Sequence, residues 1–412
     1  MAYAAILGYG TVGSGVFDAL RQNAALIKNR LGEPITVKRV LDLRSFPGND
    51  VEQLLTHNAD DVINDDEISI VAEVMGGLNP AYEYSMRALC AGKHVVTSNK
   101  ELVSVHGAEL MAAAAENHVK YLFEASVCGA IPVIKPLKHM LLTESAYQVA
   151  GILNGTTNYI LSHMEDHGED FIETLKSAQD KGYAERDPSA DIDGFDTCRK
   201  LAILLSVCTG KYVNFSKIPT QGISEITKDD FTFAAATGNT IKLIARGEIR
   251  GDEIEAAVAP MLLQKESQLG VANDVYNAVT LTFSSSDNIL LYGRGAGKKP
   301  TAGAVLSDMT EALRGSSEKP MWVRDEAVLT APGEAVITNM VRIMFTDQKK
   351  ARVLAEKVFS SDDLVWIDAG IPNQAAFFTP PLKEREYFEK IDILSKTSDI
   401  TVKNTLGIYA GR

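Results

Sequence analysis

Apolar residues in the first third of the chain fall into short runs, with helical spacing in the stretches between them. Ala2–Leu7 reads as a buried strand. Val12–Leu31 repeats its apolar positions at the intervals of a one-sided helix, and Gly32 with Pro34 stops it. Ile35–Leu41, Ile68–Met75, His94–Thr97 and Val119–Phe123 follow as strands. Pro80–Ala91 and the Ala-rich Glu101–Asn117 follow as helices, with Pro80 suited to a first turn. Strand and helix in alternation predict an α/β fold with a doubly wound parallel sheet.

Past about residue 130 the pattern changes. Helices are expected at Ile131–Leu142, Asn158–Asp166, Phe171–Lys181 and Asp196–Thr209. Longer strands are expected at Ile241–Ile249, Ile254–Leu262, Tyr276–Ser284 and Ile289–Tyr292, which together make an α+β arrangement. A third pattern begins at Met340–Phe345 and continues through Ala351–Phe359, Leu364–Ile367, Ala375–Thr379, Glu384–Leu394 and Val402–Tyr409. Its order is βαββαβ, that of small ligand-sensing modules. The expected domains are residues 1–130 with a returning segment near 293–320, then 131–292, then 335–412.

The 412 residues are 45% apolar and 23% charged, which excludes a disordered chain. Lys plus Arg number 41 against 54 Asp plus Glu, a net charge of −13 that argues against nucleic acid as a partner. The apolar runs fall short of the roughly 18 to 20 residues that cross a bilayer, so no membrane partner is expected. Cys90, Cys128, Cys198 and Cys208 form no C-x-x-C pair and read as reduced thiols. Met1–Leu7 runs straight into a glycine-rich loop with no room for a signal peptide, so a cytoplasmic location is expected.

That loop is Gly8-Tyr9-Gly10-Thr11-Val12-Gly13, a G-x-G-x-x-G between a strand and a helix. Gly8 permits the tight turn, Gly10 lets backbone approach a pyrophosphate, and Gly13 lets helix and strand pack closely. Free N–H groups at the helix start favour the anion. The bland alternative is a tight turn without a ligand. The second strand ends in Asp42 and Arg44, the residue types that take the ribose hydroxyls of NAD and the extra phosphate of NADP. Both cofactors stay open.

Thr97-Ser98-Asn99-Lys100 lies at a strand's carboxyl end, where Lys100 either faces a ligand or is a solvated surface lysine. The densest polar segment is Gly182–Asp196, which leads into a helix with Lys200. Asp196 and Lys200 are four apart and share a helix face. They form either an exposed salt bridge or a site in which carboxylates hold an ammonium while the lysine handles a proton. The acids of this segment lack the calcium-loop spacing. His163 and His167 have the spacing of a metal pair without the H-E-x-x-H pattern, and Cys128 reads as a buried small residue or a thiol nucleophile.

Taken together, these segments resemble the homoserine dehydrogenase family over residues 1 to about 320. The resemblance is carried by Ile6–Val16, Glu73–Gly77, Gly92–Lys100, Glu124–Val127, Ile152–Ile160, Gly182–Lys200, Gly293–Gly297, Pro300–Ala302 and Asp308. It implies a Rossmann-type domain and reversible hydride transfer between NAD(P)H and L-aspartate 4-semialdehyde, giving L-homoserine for threonine and methionine synthesis. It implies Lys200 as proton donor and Lys100 between nicotinamide and substrate. Glu185, Asp196, Tyr183, Gly155 and Thr156 would meet the substrate. Cofactor contacts are implied at Gly8, Gly10, Thr11, Val12, Gly13, Asp42, Arg44, Gly76, Thr97, Ser98, Lys100 and Gly297. A sodium-type ion is implied at Glu124 with the backbone carbonyls of Val127, Gly129 and Ile131, and a homodimer or homotetramer as the assembly.

The C-terminal module departs from that family. An ACT-type regulatory domain carries an Asp-x-x-Gly turn, but here the stretch is Thr346-Asp347-Gln348-Lys349-Lys350-Ala351, without glycine. An ACT-like domain used for packing or oligomer contacts is therefore expected, without threonine feedback. Two other readings compete. One is an aldehyde-oxidising enzyme with Cys128 as nucleophile, which lacks a histidine base. The other is a cofactor-binding sensor without turnover, against which the intact Lys100, Glu185, Asp196 and Lys200 set argues.

Overall fold

The computed structural model describes residues 1–315, 319–360 and 364–411. The chain packs as two compact units. The first comprises 1–146, 199–215 and 293–327, and the second 147–198, 216–292 and 328–412. Small parts of the expected 293–320 and 335–412 spans lie outside the described residues.

In the first unit the strands β1 (Ala2–Leu7), β2 (Ile35–Leu41), β3 (Leu55–Thr56), β4 (Ile68–Glu73), β5 (His94–Thr97) and β6 (Tyr121–Leu122) form one parallel sheet in the order β3-β2-β1-β4-β5-β6. The order reverses at β1, and in such sheets the ligand crevice lies at that switch, outside the carboxyl ends of the strands. β1 contributes Ala2, Ala4 and Ile6, all buried, to a core that Val16, Phe17, Val305 and Met309 complete.

The helices of this unit are α1 (Thr11–Gln22), α2 (Ala24–Leu31), α3 (Asp60–Ile63), α4 (Ala81–Cys90), α5 (Lys100–Glu116) and α6 (Ile134–Met140), with Lys298–Ala312 returning later. The single helix expected over Val12–Leu31 is broken at Asn23. Its backbone N–H makes the last ladder bond to the Ala19 carbonyl, its side-chain Nδ2 donates to the same oxygen, and Asn23 itself leaves helical backbone at φ −100°, ψ 10°. β4 stops at Glu73, short of the expected Met75, because the Glu73 carboxylate accepts the Met75 N–H and closes a turn. α6 starts at Ile134 rather than Ile131, for a reason given below. The helix Lys298–Ala312 lies against α1 so closely that a Cβ on Gly15 would come within 2.9 Å of Lys298. Trp322, 2% exposed, fills the space at Gly107, where a Cβ would sit 2.5 Å from its ring.

In the second unit β7 (Ala146–Ile152), a strand the apolar pattern did not reveal, joins one continuous sheet. Its order is Asp287–Arg294, Tyr276–Phe283, β7, Asn239–Arg250, Glu253–Gln264, Ile400–Ile408, Asn339–Phe345, Gln374–Phe378 and Val365–Ile367. Helices α7 (Gly155–His167), α8 (Phe171–Asp180) and α9 (Ser189–Ile192) precede α10 (Phe195–Thr209), whose residues from Arg199 on belong to the first unit, and Lys228–Ala235 follows.

The C-terminal βαββαβ pattern appears as expected, but its sheet is not separate. Met261 and Leu262 pair in parallel with Gly407 and Ile408, so its strands extend the sheet of the preceding α+β segment. This is why 328–412 packs in one unit with 216–292 instead of standing alone. Asp347 caps the helix Gln348–Phe359 by accepting the Lys349 and Lys350 N–H groups. No helix among the described residues is long and apolar enough to cross a membrane.

A buried ion pair fastens the module. Arg342, on strand Asn339–Phe345, lies with Nε 2.8 Å from Asp230 Oδ1. It also donates from Nη1 to Gln374 and from Nη2 to Thr227. Breaking one partner of such a pair leaves a buried charge uncompensated. Arg342→Ala is expected to lower unfolding free energy by about 3 to 5 kcal/mol, read as a shifted urea midpoint. A midpoint within error of wild type would refute this.

Candidate functional site

The glycine-rich loop has the geometry of an anion cradle. Gly8 takes φ +93°, and a Cβ on Gly13 would sit 1.9 Å from the Gly8 carbonyl oxygen, so both glycines serve the turn itself. Gly10 differs: a Cβ there would meet nothing within 4 Å. Gly10 is the N-cap of α1 and has no side chain to accept the first N–H groups of that helix. Open space and the N–H groups of Thr11, Val12 and Gly13 thus coincide at the start of α1, an arrangement that suits an anion.

At the end of β2 the Asp42 carboxylate is fully engaged. Oδ1 accepts from Arg44 N and Nε, both at 2.9 Å, and Oδ2 accepts from Tyr9 N at 2.7 Å and Arg44 Nη2 at 2.9 Å. The Arg44 guanidinium beside it holds this carboxyl well below the usual carboxylate range. Arg44 also lies over the Phe46 ring, 5.3 Å from its centroid, while 61% of its side chain stays exposed.

Between β4 and β5 a buried carboxylate organises two turns. Glu73 Oε2 accepts from Thr97 Oγ1 at 2.6 Å, and Oε1 accepts from Met75 N. Burial pushes the Glu73 carboxyl up, against these hydrogen bonds. Thr97 Oγ1 accepts the Asn99 N–H, Asn99 Oδ1 caps α5 through Leu102 N, and Asn99 Nδ2 donates to the Gly77 carbonyl. Gly76, Thr97, Ser98 and Lys100 are thereby fixed at the strands' carboxyl ends, with Lys100 the first residue of α5. Neither Glu73 nor Asn99 was singled out from the sequence. Arg199 Nη2 lies 3.6 Å from Glu101 Oε1, which brings the neighbours Lys200 and Lys100 to the same region of this unit. Lys200 is 8% exposed. Gly297, φ +121°, is the N-cap of Lys298–Ala312.

Glu124 follows β6 and is 3% exposed. Oε1 accepts from Val133 N and Ile134 N, and Oε2 from Lys135 N, so this carboxylate caps α6 from outside and sets its start. Burial raises its carboxyl while the three N–H groups pull it back. Asp308 accepts the Glu124 N–H and pairs with Lys135 at 3.0 Å; burial pushes the Asp308 carboxyl up to about 7. Cys128 and Gly129 take φ +55° and +47°, and a Cβ on Gly129 would sit 2.5 Å from the Gly295 carbonyl oxygen. Three bonds leave one of four acceptor lobes on Glu124. With the backbone oxygens of Val127, Gly129 and Ile131, that hard-oxygen set suits a monovalent cation in kind.

In the second unit the substrate candidates converge. Thr156 Oγ1 donates to the Tyr183 carbonyl at 2.8 Å, and Gln179 Nε2 donates to the Glu185 carbonyl at 3.1 Å. Tyr183 packs on Tyr159 at 4.8 Å. A Cβ on Gly155 would sit 2.8 Å from the Val275 carbonyl oxygen, so glycine is needed at the start of α7. Asp196, 2% exposed, accepts a hydrogen bond from Asn154.

Other candidates do not make sites. His163 and His167 stack at 4.8 Å with an interplanar angle of 9°, and no group of three or more metal-ligating side chains occurs among the described residues. Cys128 is buried. A cavity of about 300 Å³ lined by Arg246, Glu255, Asn339 and Tyr387 includes none of the candidate residues.

The family model of homoserine dehydrogenase matches residues 132–310, and the model of its NAD binding domain matches residues 8–124. The homoserine dehydrogenase of Bacillus subtilis is 39% identical over 363 residues, 86% of this chain and 84% of the relative. That of Pseudomonas aeruginosa is 40% identical over 316 residues, 76% of this chain and 73% of the relative. A solved homoserine dehydrogenase from Thiobacillus denitrificans superposes with TM-score 0.90 at 33% identity, covering 99% of this chain and 98% of its own.

Glu124→Gln replaces one acceptor oxygen with a donor that faces the α6 N–H groups. The expected cost is about 1 to 3 kcal/mol, seen as a lowered thermal midpoint. An unchanged midpoint would show that the cap is dispensable.

Proposed function

The chain belongs to the homoserine dehydrogenase family, oxidoreductases that interconvert L-homoserine and L-aspartate 4-semialdehyde with a nicotinamide cofactor, and from that premise we propose which residues carry each part of the reaction. The observation that carries the reading is the coincidence of uncapped N–H groups at α1 with a lysine-bearing strand edge in the same sheet.

When bound, NAD(P)H supplies the hydride. Thr11, Val12 and Gly13 present N–H groups to its pyrophosphate, Gly10 leaves room for it, and Gly297 joins the contacts. Negative charge develops on the substrate's carbonyl oxygen during reduction. The Lys200 ammonium stabilises that charge and delivers the proton; in the oxidation direction its neutral amine takes the proton back. Lys100 adds a second positive charge between nicotinamide and substrate. Glu185 and Asp196 hold the amino-acid end, and Tyr183, Gly155 and Thr156 line the pocket. Glu124 and the carbonyls of Val127, Gly129 and Ile131 would hold a sodium-type ion, which adds fixed charge to the turn and no chemistry. The βαββαβ module serves packing. Four free cysteines suit a cytoplasmic enzyme, and a homo-oligomer is the proposed assembly.

The preferred cofactor is NADP. Asp42 has no acceptor lobe left for a ribose hydroxyl, whereas Arg44 is pinned along its Nε–Nη2 edge and its side chain stays 61% exposed. Arg44 would meet the 2′-phosphate of NADP.

Two outcomes test these roles. Lys200→Ala is expected to lower turnover with homoserine roughly 10²- to 10⁴-fold, followed at the nicotinamide absorbance band. Near-wild-type turnover would remove the lysine from the proton step. Arg44→Ala is expected to cost about 10- to 100-fold in kcat/KM for NADP and little for NAD, the worth of a charged hydrogen bond. Equal losses with both cofactors would defeat the assignment.

A further inference from the structure

We propose that Asn154 is a positioning residue for substrate binding: its side-chain amide sets Asp196 and Asp191 in place while its carbonyl starts α7. The inference rests on the reading above that Asp196 binds substrate.

Asn154 is 5% exposed and follows β7. Its Oδ1 accepts the Thr157 N–H at 2.9 Å, the N-cap bond of α7, and also the Thr157 hydroxyl. Its Nδ2 donates to Asp191 Oδ1 at 2.7 Å and to Asp196 Oδ2 at 2.8 Å. Both amide hydrogens are thus spent on carboxylates. The surroundings fix the orientation of the amide. Flipped, its oxygen would face two carboxylates and its NH₂ would face a backbone N–H.

Residue choice carries the argument. Asp, Ser and Thr start a helix about as well as Asn does. Among these residues, Asn alone accepts at one end and donates two hydrogens at the other. Capping alone therefore does not require asparagine here, whereas two acids drawn to one nitrogen do. Asp191 lies on α9 and Asp196 in the first turn of α10, so the amide ties two short-range elements to the start of a third. Without the donor the two carboxylates lose the shared group that offsets their mutual repulsion.

The test is steady-state kinetics on the full chain with Asn154→Ser, Asn154→Asp and Asp196→Asn, varying homoserine and cofactor separately and recording thermal midpoints. Both Asn154 variants keep the cap and lose the two amide hydrogens that reach Asp191 and Asp196. The expected result is a homoserine KM raised roughly tenfold or more, a cofactor KM within about twofold, and a midpoint close to wild type. Asn154→Asp, with a third negative charge, shows the larger change; Asn154→Ser keeps the test available if that variant fails to fold. An Asn154→Ser homoserine KM equal to wild type, beside a raised KM in Asp196→Asn, overturns the positioning role alone. An unchanged homoserine KM in Asp196→Asn overturns the substrate reading and this inference with it. Both KM values rising together with a lowered midpoint marks a merely structural role and also overturns it.

Discussion

Every helix leaves its first N–H groups without an internal partner, and what satisfies them governs this molecule. Three helices that open beside candidate residues are satisfied by a side chain. Asn99 caps α5, Glu124 reaches across to α6, and Asn154 caps α7. In each case the capping residue has a second engagement, through its side chain at Asn99 and Asn154 and through its backbone N–H at Glu124. Asn99 holds the Gly77 carbonyl, the Glu124 segment is tied to Asp308, and Asn154 holds two carboxylates. Like the helix Lys298–Ala312 behind Gly297, α1 has a glycine N-cap and no side-chain cap. Its donors are left to the anion that the glycine loop admits.

The same economy explains why the fold needs few special residues to place a site. Parallel strands end at one edge, so Gly8, Asp42, Glu73, Thr97 and Glu124 arrive there by topology. Glu73 then locks two neighbouring turns with one buried carboxylate. Such a group is costly to bury unless its acceptors are filled, and here they are filled by the turns it organises.

Local signals were legible in the sequence. Gly8 to Gly13, the β1, β2 and β5 strands, and the βαββαβ order of the C-terminal module all depend on residues close in the chain. Partners distant in sequence were not legible. Glu73 meets Thr97, Glu124 meets Lys135 and Asp308, and Gly107 makes room for Trp322. No local pattern announces such pairs. The break at Asn23 failed for the opposite reason: the helical apolar spacing continues across it, while a single side chain bonds back to Ala19 and ends α1. Asn154 lay inside a segment that pointed to the family, yet its second function needed Asp191 and Asp196 in place to be seen.

Net charge gives a last check on this logic. A chain at −13 would repel an anionic dinucleotide if overall charge decided binding. Screening confines the effect of distant exposed charges to within about 8 Å at physiological ionic strength. Inside that radius the loop offers uncapped backbone donors, the dipole of α1 and an arginine whose orientation is fixed by Asp42. Asp42 is therefore not a wasted repulsive charge. Its carboxylate holds the guanidinium flat and aimed, at the cost of its own capacity to bind a ribose. On the proposed reading an acidic protein can take an anion here because short-range hydrogen-bond geometry, rather than summed charge, sets the local field.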